Sequence, residues 1–394
     1  MPILSNVRGA EELTLRSQYR LSDYDASGND TTNTFDTSSY GVSLAWAPIE
    51  DLRFRTQYQR AVRAPNVIEL YEGQNTDLPN LNSAGTNADG TQLFDPCASR
   101  SPIETLANCQ RTGVTADQYG TILDVISGQT QSLTGGNPNL DPEEADTVTF
   151  GVVYTPNFVP NLSISVDYFD ILVEEAIEEG IPAQTILNQC LTTGSEIFCG
   201  LITRAPSGTL AAGGSGVGFE NTNINIGEIE TKGVDLQVQH SFDIDVHEFR
   251  VDYAATFIDT FNETPFPGAD PIVCAGRFGN QCERPYPEYR HRVLVTWMTP
   301  WSVDLTGTWR FFGETDIDNS EEVLETTLDS VNYFDLAARW SAREDLTIRA
   351  SVLNLFNEVP PLFSAAGPPL GNGNTYPTVY DISTTLTVSF EYDL

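Results

Sequence analysis

Apolar and polar residues alternate along this chain in segments of about ten residues, a period that a strand satisfies and a helix does not. In the last segment Ile382, Leu386, Val388, Phe390, Tyr392 and Leu394 share one face. Ser383, Thr385, Thr387, Ser389, Glu391 and Asp393 share the other. Val148, Phe150, Val152 and Tyr154 repeat the pattern, as do Val303, Leu305, Trp309 and Phe311, while Leu13, Leu15, Tyr19 and Leu21 oppose Arg16, Gln18 and Arg20. Roughly twelve such segments can be counted, near the ~9–11 residues with which a tilted strand crosses a membrane. Strands of soluble proteins average only about five or six. The expected fold is all-β, an antiparallel transmembrane meander occupying residues 1–394, with its first and last strands at opposite edges.

The connections alternate as well. Short turns fall near Pro48–Asp51, Pro156–Asn161, Phe242–Val246, Thr299–Ser302 and Ala342–Asp345, and longer linkers at about 25–37, 64–144, 178–222, 262–287, 317–328 and 360–379. Short turns on one side and long loops on the other describe an outer-membrane barrel, whereas long structureless loops are out of place in a compact soluble domain. Trp46, Trp297, Trp301 and Trp340 sit at the short-turn ends, with Tyr154 in an equivalent place. Amphipathic rings are most stable at the membrane–water boundary, so these read as an aromatic girdle on the periplasmic side.

Composition bounds the partners. The formal charge is −35 and the sequence pI about 4.1, which repels nucleic acid. Mean hydropathy is −0.23, and no apolar run reaches the roughly 18 residues that a membrane helix needs. The start, Met1-Pro2-Ile3-Leu4-Ser5-Asn6, has no basic segment followed by an apolar core and is expected to carry no secretion signal. The six cysteines nevertheless point to an oxidising compartment. They form three local pairs inside polar linkers: Cys97 with Cys109, Cys190 with Cys199, and Cys274 with Cys282. All lie in long linkers, expected outside the cell. No CxxC spacing occurs and His240, His247 and His291 are remote from the thiols, so no metal site is expected.

Several segments resemble the C-terminal half of TonB-dependent receptors. Arg60-Ala61-Val62-Arg63-Ala64-Pro65-Asn66 followed by Glu69-Leu70-Tyr71 is similar to the family's "RAPN…EL" strand end. Gly136-Asn137-Pro138-Asn139-Leu140-Asp141-Pro142-Glu143 is similar to its "GNPxLxPE" segment, with Val166–Ile171 as the following strand. Thr231-Lys232-Gly233-Val234-Asp235 resembles the "TxGxD" strand and Asn354-Leu355-Phe356-Asn357 the "NLFN" segment, and Tyr376-Pro377 with Tyr380-Asp381 precedes the last strand. These strings keep the family's order from about residue 60 onward, whereas residues 1–59 match only as a generic hairpin. Each also has a local reading. Pro65 and Pro138 end backbone pairing, Gly233 marks a bulge or a close backbone approach, and Asn354 and Asn357 suit a strand entering a turn. Barrels of the plugged class have roughly 22 strands, so about ten strands, the plug and the TonB-engaging segment are expected to lie outside this sequence. The chain ends at Leu394, where such barrels usually end in an aromatic.

No nucleophile–base pair, GxSxG elbow, phosphate loop or HExxH is present, so no enzyme activity and no cofactor is expected. The pairs Glu143/Glu144, Glu174/Glu175 and Glu178/Glu179 imitate a glycosidase dyad, but neighbouring carboxylates on a strand face opposite sides. No loop has the DxDxDG spacing of a calcium site. The resemblance implies a bacterial outer-membrane receptor that imports a bulky, scarce ligand such as a ferric chelate, oligosaccharide or corrinoid, driven by the TonB complex through the plug. Tyr71, Phe94 and Tyr119 in one long linker and Phe363 and Tyr376 in another are candidate stacking residues for that ligand. The isolated chain is expected not to transport. Two rival readings are an autonomous twelve-stranded pore or adhesin, and a secreted carbohydrate-binding β-sandwich.

Overall fold

A computed structural model describes the chain apart from residues 1, 30, 212, 214, 215, 280, 283, 319–325, 364–373, 393 and 394. The ends of the last alternating segment, Asp393 and Leu394, and parts of the linkers 317–328 and 360–379 therefore lie outside the described residues.

One sheet dominates. Its strands are β1 (Pro2–Val7), β2 (Ala10–Gly28), β3 (Thr31–Ile49), β4 (Leu52–Arg63), β5 (Glu143–Tyr154), β6 (Leu162–Glu178) and β7 (Ile224–Ile244). They continue as β8 (His247–Thr264), β9 (Tyr289–Met298), β10 (Val303–Phe312), β11 (Val331–Arg343), β12 (Leu346–Leu353) and β13 (Thr385–Tyr392). Each pairs antiparallel with its neighbour in sequence, from β1 at one edge to β13 at the other. The meander path thus has thirteen strands among the described residues, in keeping with the roughly twelve expected, and a two-residue strand, Ile272–Val273, pairs with β8 off that path. Among these residues no pairing joins β1 to β13. This is a single continuous layer, not a two-layer sandwich.

Cross-strand register keeps one face apolar from end to end. Leu305 lies opposite Trp297 and Ala338, and Trp309 opposite Val293 and Phe334. Leu386, Val388 and Phe390 lie opposite Val352, Ala350 and Ile348. Leu21, Val42, Phe150, Val295, Leu336 and Phe390 stand exposed on this face, as surface meant for lipid rather than water must. The other face is polar and paired across strands. Arg53 meets Glu12 at 2.7 Å, Arg349 meets Glu391 at 2.7 Å, and Thr256 donates to Asp235 at 2.8 Å. Arg55 reaches over Gly151 to Asp167, and a Cβ at Gly151 would collide with that carboxylate. Gly233 sits at a bulge where β7 shifts register against β8, with the Phe169 ring and the Phe257 carbonyl where its Cβ would be.

At the short-turn end, Trp46 stacks on Phe54 with centroids 5.5 Å apart, and Phe242, Phe249 and Trp297 form a stacked file. Trp301 and Trp340 project from the same end. At the opposite end β2, β3, β6, β7 and β8 run to between 17 and 21 residues. A strand of that length spans about 60 Å at ~3.3 Å per residue, so even when tilted it stands clear of the bilayer. This corrects the linker placed at 25–37. The alternation there is of polar residues, invisible to a hydrophobic period, yet Ala26 pairs with Asn33 and Tyr24 with Phe35. Ser27 and Thr32 bond across the strands at 2.9 Å and Thr34 donates to Asp25.

Candidate functional site

The long connections gather at one end of the sheet and fold on one another. The first, between β4 and β5, begins with α1 (Val67–Tyr71). Its N-cap Asn66 accepts from the Ile68 and Glu69 amides, while Glu69 returns a bond to the Asn66 amide. This closed capping box explains why a five-residue helix persists. The same connection carries α2 (Leu106–Arg111), and the β6–β7 connection carries α3 (Ala183–Thr193) and α4 (Glu196–Cys199). Between the two connections, Ser132–Gly135 pairs in parallel with Phe219–Thr222. Arg111 donates to the Leu191 and Thr192 carbonyls, closing the C-terminal end of α3.

A shared core joins them: Leu81, Val114, Ile122, Ile186, Leu187 and Phe219 are almost fully buried. Disulfides Cys97–Cys109 and Cys190–Cys199 lie inside it, and Phe198 meets Phe266 of the β8–β9 connection edge-on at 5.0 Å. At its centre Arg204 and Asp95, 3% and 0% exposed, form a two-point ion pair. Arg204 also donates to Thr112 and to the Gly208 carbonyl, and Asp95 accepts from the Cys97 amide. Every charge is thus matched by hydrogen bonds, the condition under which a buried pair is tolerated. Sequence reading missed this pair. Its only signal is an arginine in a linker that otherwise carries little positive charge.

A second cluster joins the later connections. Phe363 stacks on Tyr376 with centroids 5.2 Å apart, Phe278 meets both edge-on, and Tyr380 and Tyr333 close the group. Burial pushes the Tyr376 hydroxyl up to about 12 and raises that of Tyr380 as well. Arg310 on the lumen-side face of β10 ties Asp335 of β11 to Asp381 of the last connection. The third disulfide, Cys274–Cys282, closes the short loop that carries Phe278 of this cluster.

The five aromatic residues singled out for ligand stacking all serve these packed units. Tyr71 is buried and donates to the Ala26 carbonyl at 2.8 Å, fastening the tall β2–β3 hairpin to α1. Phe94 packs on the first loop core, and Tyr119 packs there too while donating to the Glu104 carbonyl. Phe363 and Tyr376 are each 3% exposed. The structure does not bring the five together, and it splits them between separate loop cores. Among the described residues no group of three or more His, Cys, Asp or Glu side chains is arranged to hold a metal.

An up-and-down antiparallel sheet with a girdle at its short-turn end and folded, disulfide-bonded loops at the other has the architecture of a transmembrane β-barrel wall. Residues 6–355 match the sequence model of the family described as TonB dependent receptor-like, beta-barrel. The chain belongs to that family, which is one of receptors and transporters. No curated protein matches it by sequence. Among solved structures, the ferric enterobactin receptor of Pseudomonas aeruginosa is similar at 14% identity and a TM-score of 0.56, covering 98% of this chain and 44% of that one. The siderophore receptor PirA of Acinetobacter baumannii is similar at 12% identity and 0.52, covering 97% and 46%. The FrpB iron transporter of Neisseria meningitidis gives 11% and 0.51, covering 96% and 43%. The chain therefore spans less than half the length of these proteins.

Proposed function

We propose that this chain forms the C-terminal part of the barrel of a bacterial outer-membrane receptor. That receptor takes up a bulky, scarce ligand, a ferric chelate ahead of an oligosaccharide or a corrinoid, with energy delivered by the TonB complex through a plug. The observation that carries the reading is the one-layer, thirteen-strand meander matched over residues 6–355 to this family. Ferric chelates are placed first because two of the similar structures are a ferric enterobactin receptor and a siderophore receptor. The loop units on the long-connection side supply the ligand-facing surface. Deleting residues 66–140 from the full-length parent abolishes ferric-chelate uptake while the receptor still reaches the outer membrane. Uptake unchanged by the deletion would refute the reading.

The autonomous pore is disfavoured by direction. With thirteen strands in simple up-and-down order among the described residues, β1 and β13 run the same way. Joining them would create a parallel seam in an otherwise antiparallel sheet. On this reading the isolated chain does not transport and gives no steady unitary currents in a planar bilayer. Stable currents of one size would favour the pore.

A further inference from the structure

Adjacent carboxylates on a regular strand point to opposite faces, yet Glu174 and Glu175 line one cavity, of about 460 Å3, together with Glu228. A bulge brings them round. β6 slips against β7 between Val173 and Ala176, Glu175 takes a left-handed φ of 54°, and Asn225 donates to its carbonyl at 3.0 Å. The floor of the cavity is apolar: Ile197 of α4, Ile224 and Ile226 of β7, and Phe266 just beyond β8. Ile226 and Phe266 also belong to the first loop core, so the loop unit leans over this side of the sheet.

Register puts the groove on the outer side of the wall and not in the lumen. Tyr168 lies opposite Phe150 on the apolar face, and Glu174 follows on that face with the β5–β6 pairing unbroken. On β7, Val234 lies opposite Tyr168, Lys232 opposite Asp170 and Glu228 opposite Thr264, all on the same side. There Lys232 pairs with Asp170 and Glu230, and Arg60 with Asp146 and Glu144. Outward charges are costly at the bilayer midplane and nearly free at its boundary, so this belt of ion pairs marks where the wall leaves hydrocarbon. Glu228 stands about 13 Å further along β7, at ~3.3 Å per residue. The groove therefore opens sideways, just above the membrane.

Glu174, Glu175 and Glu228 are exposed and make no ion pair among the described residues, whereas Glu143, Glu144 and Glu230 close by are each held by an arginine or a lysine. Ile197 is 45% exposed beside them. An apolar floor under three unpaired carboxylates selects its occupant by charge. Phosphate-bearing lipid headgroups are repelled, and so is a second copy of a chain whose net charge is −35.

We propose that this groove docks a basic amphipathic segment of another protein. Aliphatic side chains of that segment lie on the isoleucines, and its lysines or arginines meet Glu174, Glu175 and Glu228. The contact is lateral, on the outer flank of the wall, so it does not depend on which ligand the lumen passes.

The test uses the full-length parent in detergent micelles and an alternating lysine–leucine hexapeptide as probe. Lysine–serine and glutamate–leucine hexapeptides serve as comparisons, with the heat from empty micelles subtracted. In calorimetric titration the lysine–leucine peptide binds saturably, the lysine–serine peptide at least about tenfold more weakly, and the glutamate–leucine peptide not at all. The double substitution Glu174→Gln with Glu228→Gln weakens binding by up to about tenfold, the effect of two exposed ion pairs. Ile197→Ser weakens it by about tenfold through lost apolar contact. Glu72→Gln with Glu179→Gln, in a separate acidic cavity, leaves the affinity unchanged. Carbodiimide coupling joins the peptide's lysines to Glu174, Glu175 or Glu228 in peptide maps. Every substituted side chain is exposed, and unchanged strand content and disulfides confirm that each variant folds. The proposal is overturned if the lysine–serine peptide binds equally well, if the double glutamate variant binds like the parent, or if coupling maps elsewhere. Self-association of the parent that Ile197→Ser abolishes would give the groove to a second copy, and displacement of the probe by lipopolysaccharide would give it to lipid; either overturns the proposal.

Discussion

Asp95→Ala is the most informative single change in the loop unit. It would leave the Arg204 guanidinium, 3% exposed, with Thr112 and the Gly208 carbonyl but no counter-charge. Removing one partner of a buried pair costs about 3–5 kcal/mol. The Cys97 amide, which donates to Asp95 at 3.0 Å, loses its acceptor as well. At about 1.4 kcal/mol per tenfold, the unit opens roughly two to three and a half orders of magnitude more often. Amide hydrogen exchange reads this directly at two bonds inside the unit, Phe219 N–H to the Gln131 carbonyl and Leu81 N–H to the Gly128 carbonyl. Both should exchange faster, while amides between β9 and β10 keep their protection. Asp95→Asn retains an acceptor for Cys97 and should lose less. Parent-like protection in Asp95→Ala, or equal loosening of the β9–β10 pairing, would refute the idea that this pair holds the loops as a unit separate from the wall.

Other outcomes follow from the same geometry. Leu336→Arg, on the apolar face, should destabilise the membrane-inserted protein by about 2–4 kcal/mol, whereas Ala337→Arg on the polar face is tolerated; resistance to heat in detergent separates them. Replacing Cys190 and Cys199 with Ala should cost the loop unit about 2–3 kcal/mol, seen as faster proteolysis between 179 and 223 with the strands untouched. The Tyr376 hydroxyl, raised by burial to about 12, contributes stability that is complete below its ordinary value near 10 and fades as pH climbs from there toward 12. The Phe363–Tyr376 cluster should therefore come apart in that alkaline window, followed by tyrosinate absorbance, and Tyr376→Phe should retain more of its loop packing there.

The wall was legible in the sequence because lipid on one side and water on the other impose period two on every strand. The alternating face of Leu13, Leu15, Tyr19 and Leu21 and the tryptophans at the short-turn ends carried that information. Where both faces meet water, as in the tops of β2 and β3, Thr31, Thr32 and Asn33 alternate with nothing to contrast against, and the strand went unread. The loops were harder still. Their residues pair across more than a hundred positions, as Arg204 does with Asp95, and no local period records such contacts. An aromatic in a loop looks the same in sequence whether it faces a ligand or a loop core; in the fold Tyr71 and Tyr376 are buried in loop packing.

Among the described residues β1 and β13 each have one edge without a partner strand, and the energetics of such edges connect fold to function. β1 and β13 have six and eight residues, and in an antiparallel edge roughly every second residue turns its N–H and C=O outward. About seven residues' worth of backbone groups would thus face hydrocarbon, each group costing several kcal/mol when unpaired. The sum runs to tens of kcal/mol, against about 5–15 kcal/mol for the stability of a typical domain. Side chains cannot absorb it, because Leu386, Val388 and Phe390 already present an apolar face to lipid and the remaining deficit is in the backbone itself. A parallel seam between β1 and β13 would satisfy part of it, but only eight residues of β13 meet six of β1, and evenly spaced, slanted bonds pair less well than antiparallel ones. An odd number of further antiparallel strands satisfies both edges without that defect.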